Sequence, residues 1–408
     1  MRLAVTGFVS GQAGSVASAN ALLLRALLDQ GCEVQFFSKA SFVDPRPTIG
    51  DHAKFKFTDV DNSLADRTRA GLARVPVVGK LAGILDATTY NRLLVRRINE
   101  AHARQKFDLC LWLGDYACGS VPGIPTVSFA QGPPGTDARS IIGRHEEITH
   151  LAGPALAAKL RLMARYRLSR FGLPNFPRSD HFIIGSTQSR ETLRHIYGID
   201  EKSIHILPYP IDLTMFTPSS KAPTAPALRC LWLGRIIPRK RLDLFLNAAT
   251  QCIQQGIDLN VTIIGDVGFV PGYERLIEKF SHPARLHWER FLPRENVPFI
   301  LQAHDILAQP SEEENFGSSV AEAQACGLPV IVGATNGNKN YLCSRDIALT
   351  DYRVETLAAA FSEMAARKSE NSMGDPSESR NCAERNFSIG TVSSRLMEIL
   401  DFVVSRPR

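Results

Sequence analysis

The chain has 408 residues, 44% of them hydrophobic and 22% charged, which is enough for two domains of ordinary size, each with its own core. The net charge of +6 is modest and no zinc-finger spacing, RNA-binding aromatic signature or other nucleic-acid motif accompanies the basic residues, so no nucleic-acid partner is expected. No apolar run approaches the roughly 20 residues that a bilayer span needs. Met1 starts a strand at once, so no signal peptide is expected either. The eight cysteines form no C-x-x-C pair and have no His at zinc spacing; they read as small buried side chains in a reducing compartment, which places the protein in the cytoplasm.

The opening apolar run, residues 3–6, predicts a strand, followed by Gly7, Gly11 and Gly14, a helix over 16–30 and a second strand over 33–37. This is a βαβ unit. Its glycine spacing does not match G-x-G-x-x-G, and no acidic residue closes the second strand, so NAD binding is not expected. Gly14 sits at the start of the first helix. It reads either as an approach point for a ligand phosphate or as a packing glycine in a tight turn.

Two basic clusters follow, Arg92 to Lys106 and Lys159 to Arg170. The segment 155–171 interleaves its cations with Leu160, Leu162, Met163, Tyr166 and Leu168. It reads in two ways: a helix lying on an anionic membrane surface, or a solvated basic helix packed on the domain by its apolar stripe. Between the clusters, the strand-like residues 127–130 run into Gln131, Gly132 and two prolines.

Residues 217–226 lack an apolar period and are rich in turn formers, so the interdomain linker is expected at 217–227. The expected division is an N-terminal domain over 1–216, a C-terminal domain over 228–388 and a last helix at 389–408. In the second part, a strand at 229–233 ends in Gly234, then Arg235, Arg239, Lys240 and Arg241 precede an apolar helix. Such a cluster suits a diphosphate: a guanidinium fork grips two oxygens and an ammonium acts as a point charge. A merely basic loop is the alternative.

The apolar run 306–308 predicts a buried parallel strand, with a helix from about Ser318 stopped by Gly327 and Pro329. The turn between them lies at a strand's carboxyl end, where open α/β sheets bind ligands. The N–H groups of Phe316, Gly317, Ser318 and Ser319 would face an anion there. Glu314 on the loop and Glu322 in the helix would accept hydrogen bonds from hydroxyls on either side of a phosphate, one from a sugar and one from a ribose. The alternative is an acidic helix start that complements the dipole.

These motifs resemble the retaining nucleotide-sugar glycosyltransferases of family 4, with two Rossmann-like α/β domains facing a cleft (the GT-B fold). The resemblance rests on Gly234-Arg235 followed by Lys240, on Glu314-Asn315-Phe316-Gly317 with seven residues between Glu314 and Glu322, on the Ala325–Val330 run, and on Tyr209-Pro210-Ile211-Asp212 with Phe216. It implies that the 1–216 domain, completed by the last helix at 389–408, lies on the acceptor side and that the 228–388 domain binds the nucleotide-sugar. It implies that Arg235 and Lys240 bind the donor diphosphate, Glu322 the ribose and Glu314 the transferred sugar. Asn315, Phe316, Gly317, Ser318 and Gly14 complete the expected donor site, with Glu314, Arg235 and Lys240 carrying the catalysis.

Many relatives place a His near the transferred sugar where this chain has Gln131. Gln131 and Gly132 are expected on the acceptor or sugar side; an amide binds hydroxyls but is no base. Asp137, His145 or no side chain at all remain open for that role. The expected reaction is metal-independent transfer of a hexose-type sugar from a nucleotide-diphosphate sugar to a glycan or lipid-linked acceptor, with no cofactor. It belongs to surface polysaccharide, lipopolysaccharide or glycolipid synthesis, at the inner face of the plasma membrane if 155–171 docks there. A catalytically degenerate sugar-nucleotide-binding partner and a GT-B epimerase are the competing readings.

Overall fold

The computed structural model describes residues 1–10, 15–41, 43–60, 76–114, 121–132, 135–169, 179–219 and 225–406. Gly11, Gly14, Arg170, Phe171 and part of the 217–227 linker lie outside them. Strands alternate with helices, as the alternation of short apolar runs with longer periodic ones requires.

The first sheet is built from β1 (Arg2–Gly7), β2 (Glu33–Ser38), β3 (Phe55–Asp59), β4 (Leu109–Leu113), β5 (Thr126–Phe129), β6 (His181–Ile184) and β7 (Ile204–Ile206). Their order is β3-β2-β1-β4-β5-β6-β7 and every pairing is parallel. The second sheet holds β8 (Leu228–Leu233), β9 (Leu259–Ile264), β10 (Leu286–Glu289), β11 (Ile306–Gln309), β12 (Val330–Val332) and β13 (Ile347–Ala348). It too is wholly parallel, in the order β10-β9-β8-β11-β12-β13. Strands such as β4 and β11 are buried along their whole length, because helices cover both faces of a parallel sheet. Each order reverses beside its first strand, so the carboxyl ends of β1 and β4, and of β8 and β11, flank the crevices where such sheets take ligands.

Glycines close two of these strand ends because neighbouring backbone leaves no room for a side chain. A Cβ on Gly7, at φ +140°, would lie 2.0 Å from the Leu113 carbonyl oxygen. On Gly265, at φ +150°, it would lie 1.8 Å from that of Gly234.

Helix α1 (Ser15–Asp29) follows β1, and α2 (Pro76–Arg104) precedes β4. Between β5 and β6 come α3 (Thr136–Gly143), α4 (His145–Ala152) and α5 (Pro154–Leu168), and α6 (Thr187–Tyr197) follows β6. The second half contributes α7 (Leu242–Gln254), α8 (Ser318–Ala325), α9 (Val354–Ser369), α10 (Pro376–Phe387) and α11 (Ile389–Val404). Helix α10 falls partly in the polar stretch 368–380, where sequence shows little apolar period. It buries only Ser379, Cys382, Ala383 and Phe387, a narrow stripe that starts at a proline.

Packing does not follow the chain's linear division. Helix α11 returns to the first sheet and lies on α1, where Gln30 donates to Ser393 Oγ at 2.8 Å and Cys32 meets Met397 at 3.6 Å. Conversely, Ile148 and Leu151 of α4 and Ala157 and Ala164 of α5 share a core with Trp232, Ile236 and Tyr273 of the second half. A Cβ on Gly272 would lie 2.8 Å from the Leu151 carbonyl, which marks how closely α4 is seated. The stretch α3–α5 thus starts from the first sheet and rests on the second.

Leu396 is fully buried where α11 meets the first half. Leu396→Ala is expected to cost about 2–5 kcal/mol, as deletion of a buried leucine side chain generally does, read as a lower urea midpoint for loss of the native near-ultraviolet signal.

Candidate active site

The site is assembled where β8 and β11 end side by side. After β8, Gly234 and the exposed Arg235 lead into a single 3-10 turn, Pro238–Lys240, and Arg241 adopts the left-handed conformation (φ 55°) before α7 begins. Arg241 is held there by Asp243 (3.1 Å) and Glu312 (2.5 Å), with its guanidinium over the Tyr352 ring. That strained residue turns Arg239 and Lys240 toward β11.

After β11 the chain passes Pro310 and Ser311 and carries three glutamates. Glu314 is buried, and its Oε2 accepts from Lys240 Nζ at 2.5 Å and from Arg239 Nη1 at 2.8 Å. Burial alone would raise this carboxyl's pKa; the two adjacent cations outweigh it and bring the pKa down from 4.5 to about 2. Lys240 moves down as well, because burial and the neighbouring Arg239 and Arg235 outweigh its single carboxylate partner. Two cations therefore share one anion, and Glu314 stays ionised.

Arg239 also donates from Nε to Asp137 of α3 at 2.7 Å. The same helix sends Arg139 to Glu313 at 2.8 Å, and Arg144 joins Glu147, Asp243 and Glu312 at 2.7, 2.9 and 3.2 Å. A small cavity of about 210 Å³ remains between α3 and the acidic loop, beside Arg139, Arg144 and Arg239. Asp137, one residue left open for proton transfer, is thus the far partner of Arg239. His145 begins α4.

Glu322 lies one turn into α8, fully buried, with Arg294 Nη2 at 3.0 Å from its Oε1. Burial raises its pKa and Arg294 only partly counters this. A larger cavity, about 870 Å³, opens between α1 and the 291–295 turn; Asp212, Met215, Phe291 and Arg294 line it.

The turn before α8 differs from the expected open row of amides. The Gly317 N–H donates to Asn338 Oδ1 at 2.8 Å and the Ser318 N–H returns to the Phe316 carbonyl at 3.1 Å. Among the described residues this leaves the Phe316 and Ser319 N–H groups without a partner. Asn315, expected to face a donor, instead ties the two halves: its Oδ1 accepts from the Gly185 N–H at 3.0 Å and its Nδ2 donates to Tyr209 OH at 2.7 Å. Gln131 pairs amide to amide with Asn20, whose Nδ2 also donates to the Phe8 carbonyl at 2.8 Å, so it borders the glycine turn after β1. Gly132 is the next residue, half-buried, and Gly14 lies outside the described residues.

The structure therefore joins Lys240 to Glu314 directly, with Arg235 at the same strand end and Glu322 on the helix that follows the Glu314 loop, while the Phe316 side chain packs inward on Tyr209 and Phe387. Sequence reasoning counted Arg239 as one more loop cation and passed over Arg294 and Asn338. The Pro-Arg-Lys-Arg run pointed to the first; nothing in the local pattern distinguishes the other two.

Residues 225–380 match the family model for glycosyl transferases group 1. A D-inositol 3-phosphate glycosyltransferase from Xylanimonas cellulosilytica is 30% identical over 177 residues, covering 39% of this chain and 42% of that protein. The one from Mycobacterium leprae is 32% identical over 170 residues, covering 39% of each. The chain thus spans about two-fifths of the length of these curated relatives. In structure, the Anabaena protein HepE in complex with UDP and glucose superposes with a TM-score of 0.64 at 17% identity, covering 98% of this chain and 99% of HepE. At that identity the likeness establishes the fold, two parallel-sheet α/β domains of the GT-B type.

Because the pKa of Glu314 is depressed on folding, the stability it contributes is complete above about pH 4.5 and is lost as pH falls toward 2. Glu314→Gln should flatten the acid limb of the stability curve over that window. At neutral pH it should cost about 3–5 kcal/mol, since two buried cations lose their carboxylate. Urea titrations at stepped pH read both effects.

Proposed function

We propose that this chain, a family 4-like GT-B protein with a glycosyl transferases group 1 domain at 225–380, is a retaining glycosyltransferase. It moves a hexose-type sugar from a nucleotide-diphosphate sugar to a hydroxyl of a glycan or lipid-linked acceptor, in surface polysaccharide or glycolipid synthesis. The observation that carries this reading is the buried Glu314 carboxylate fixed by Arg239 and Lys240, with Glu322 on the following helix.

A nucleotide-sugar already has a good leaving group, so the protein must neutralise charge growing on the departing diphosphate and hold the acceptor hydroxyl at the anomeric carbon. Lys240 and the exposed Arg235 stand at the end of β8, and the Phe316 and Ser319 amides, without a partner among the described residues, lie after the neighbouring strand β11. In this reading they meet the diphosphate and supply positive charge without a metal ion. Glu314, kept ionised, accepts hydrogen bonds from the sugar's hydroxyls, and Glu322 accepts those of the ribose. A nucleotide-sugar donor accords with HepE, which has been seen in complex with UDP and glucose. Retention of anomeric configuration is carried by the family resemblance.

The acceptor is proposed to be met at an anionic membrane surface. Helix α5 packs inward through Ala157, Leu160, Ala164 and Leu168, a stripe largely separate from the residues that face out. Leu162, Met163 and Tyr166 are 71%, 50% and 57% exposed, among Lys159, Arg165 and Arg167. An apolar strip rimmed by cations suits insertion at the headgroup boundary. Among the described residues no helix is long and apolar enough to cross a membrane.

A panel of nucleotide-sugars and nucleoside diphosphates, added without metal, should raise the melting temperature with one nucleotide class. That shift should vanish in Arg235→Ala. Lys240→Ala should lower kcat by about 100-fold or more, the scale of losing one charge-stabilising donor; unchanged turnover would remove Lys240 from the mechanism. Leu162→Glu with Met163→Glu should abolish co-sedimentation with vesicles rich in phosphatidylglycerol, while transfer to a soluble acceptor analogue persists.

A further inference from the structure

Glu322 presents a physical problem that its assigned role does not solve. It is buried, and its Oε1 receives no oriented hydrogen bond, only the charge of Arg294 at 3.0 Å. A carboxylate in that state tends to take up a proton, and a protonated acid accepts hydroxyl hydrogen bonds less well than a charged one.

Arg294 opens a single 3-10 turn, Arg294–Asn296, directly after Pro293. Its guanidinium lies over the ring of Phe216, 5.4 Å from the centroid, and Phe216 is itself fully buried. Arg294 is also a wall of the 870 Å³ cavity, a volume within the range of roughly 300–1,000 Å³ typical of small-molecule sites. One side chain thus reaches from that cavity to the buried carboxylate.

We propose that Arg294 is a positioning residue for the nucleoside end of the donor: it fixes Glu322 as a charged acceptor for the ribose hydroxyls at the edge of the cavity that takes the base. This rests on the reading of Glu322 as the ribose-binding group. The other charged groups near Glu322 cannot take Arg294's place. Arg380, from α10, is spent on the carbonyls of Phe216, Ala325 and Leu213 and on Glu384. Cys326, just past the end of α8, is a thiol whose pKa burial pushes up to about 12. Asp212, in the cavity wall, is held ionised against its burial by hydrogen bonds from Thr214 and Met215, with the charge of Arg294 adding to them. Burial and Arg294 therefore decide the state of Glu322 between them.

The test is calorimetric binding of UDP, GDP and ADP to the full chain from roughly pH 6 to 8.5, with each variant read as a ratio to wild type so that phosphate titration cancels. The variants are Arg294→Gln, Arg294→Lys, Glu322→Gln and the double variant Arg294→Gln/Glu322→Gln. Arg294→Gln is expected to weaken the nucleotide that binds by about tenfold at neutral pH, with the ratio growing on acidification as Glu322 protonates. Arg294→Lys, which keeps the charge, should restore a flat ratio. In the Glu322→Gln background, Arg294→Gln should add less than about twofold, because both changes act on one interaction. The 2′,3′-dideoxy form of the nucleotide should bind wild type and Arg294→Gln alike. A pH-independent ratio, or losses that multiply in the double variant, would overturn the proposal and leave Arg294 a direct or purely structural contact. Wild type that binds no nucleoside diphosphate would instead overturn the nucleotide-site reading beneath it.

Discussion

The geometry of the crevice depends on one carboxylate, Glu314, held out of water between two cations. A buried charge is tolerated only when paired, and here the pair partners come from the neighbouring strand end. The loop after β8 and the loop after β11 are consequently locked to each other. Arg239 extends the lock to Asp137, so a helix reached from the first sheet is tied to the same carboxylate through one guanidinium. A fork with five donors can bridge two acids in this way, whereas an ammonium on a flexible stem fixes neither direction.

The backbone around the pair is shaped to suit. Arg241 and Glu313 both occupy the left-handed region, at φ 55° and 48°, where non-glycine residues stay only if their surroundings hold them. Ion pairs to Glu312 and Asp243 hold the first, and Arg139 with the Thr335 hydroxyl holds the second. Gly337 is needed because a Cβ there would come within 2.1 Å of the Asn315 carbonyl. The 337–341 turn can therefore close over the loop, and its Asn338 takes up the Gly317 amide. The same closure that rigidifies the loop removes one amide from service to a ligand.

Much of this was legible in the sequence, for a reason that also marks the limit. Strands buried on both faces write themselves as continuous apolar runs, and Arg235, Lys240, Glu314 and Glu322 lie within a few residues of strand ends or helix starts that such runs locate. What could not be read are partners separated along the chain. Asp137 and Arg239 stand 102 positions apart, and Arg139 and Glu313 stand 174 apart. Neither pair has a period or spacing. Asn315 looked like a ligand-facing residue because it sits in the right motif, but its amide can give and take hydrogen bonds, and the interface with Gly185 and Tyr209 uses both functions. Helix α5 was ambiguous for a similar reason: its apolar residues are too many for one face, so one set packs and another faces out.

The two glutamates of the motif show how far environment separates equivalent side chains. Both are buried, so desolvation pushes both toward the neutral acid. Glu314 has two cations in direct contact and ends far on the charged side. Glu322 has one, at 3.0 Å and without a directed hydrogen bond, and ends with its pKa above the ordinary value. The difference follows from where the cations are anchored. Lys240 and Arg239 are consecutive residues of a turn that ends in Arg241, itself pinned by two acids, so their backbone is held beside the Glu314 loop. Arg294 projects from a single 3-10 turn against an aromatic ring and lines a cavity. In the proposed site a ligand would meet a carboxylate whose charge is only partly compensated, so hydroxyls donating to it would supply hydrogen bonds it lacks. At Glu314 that need is already met, and in the proposed site a sugar would share the carboxylate with the cations that keep it ionised.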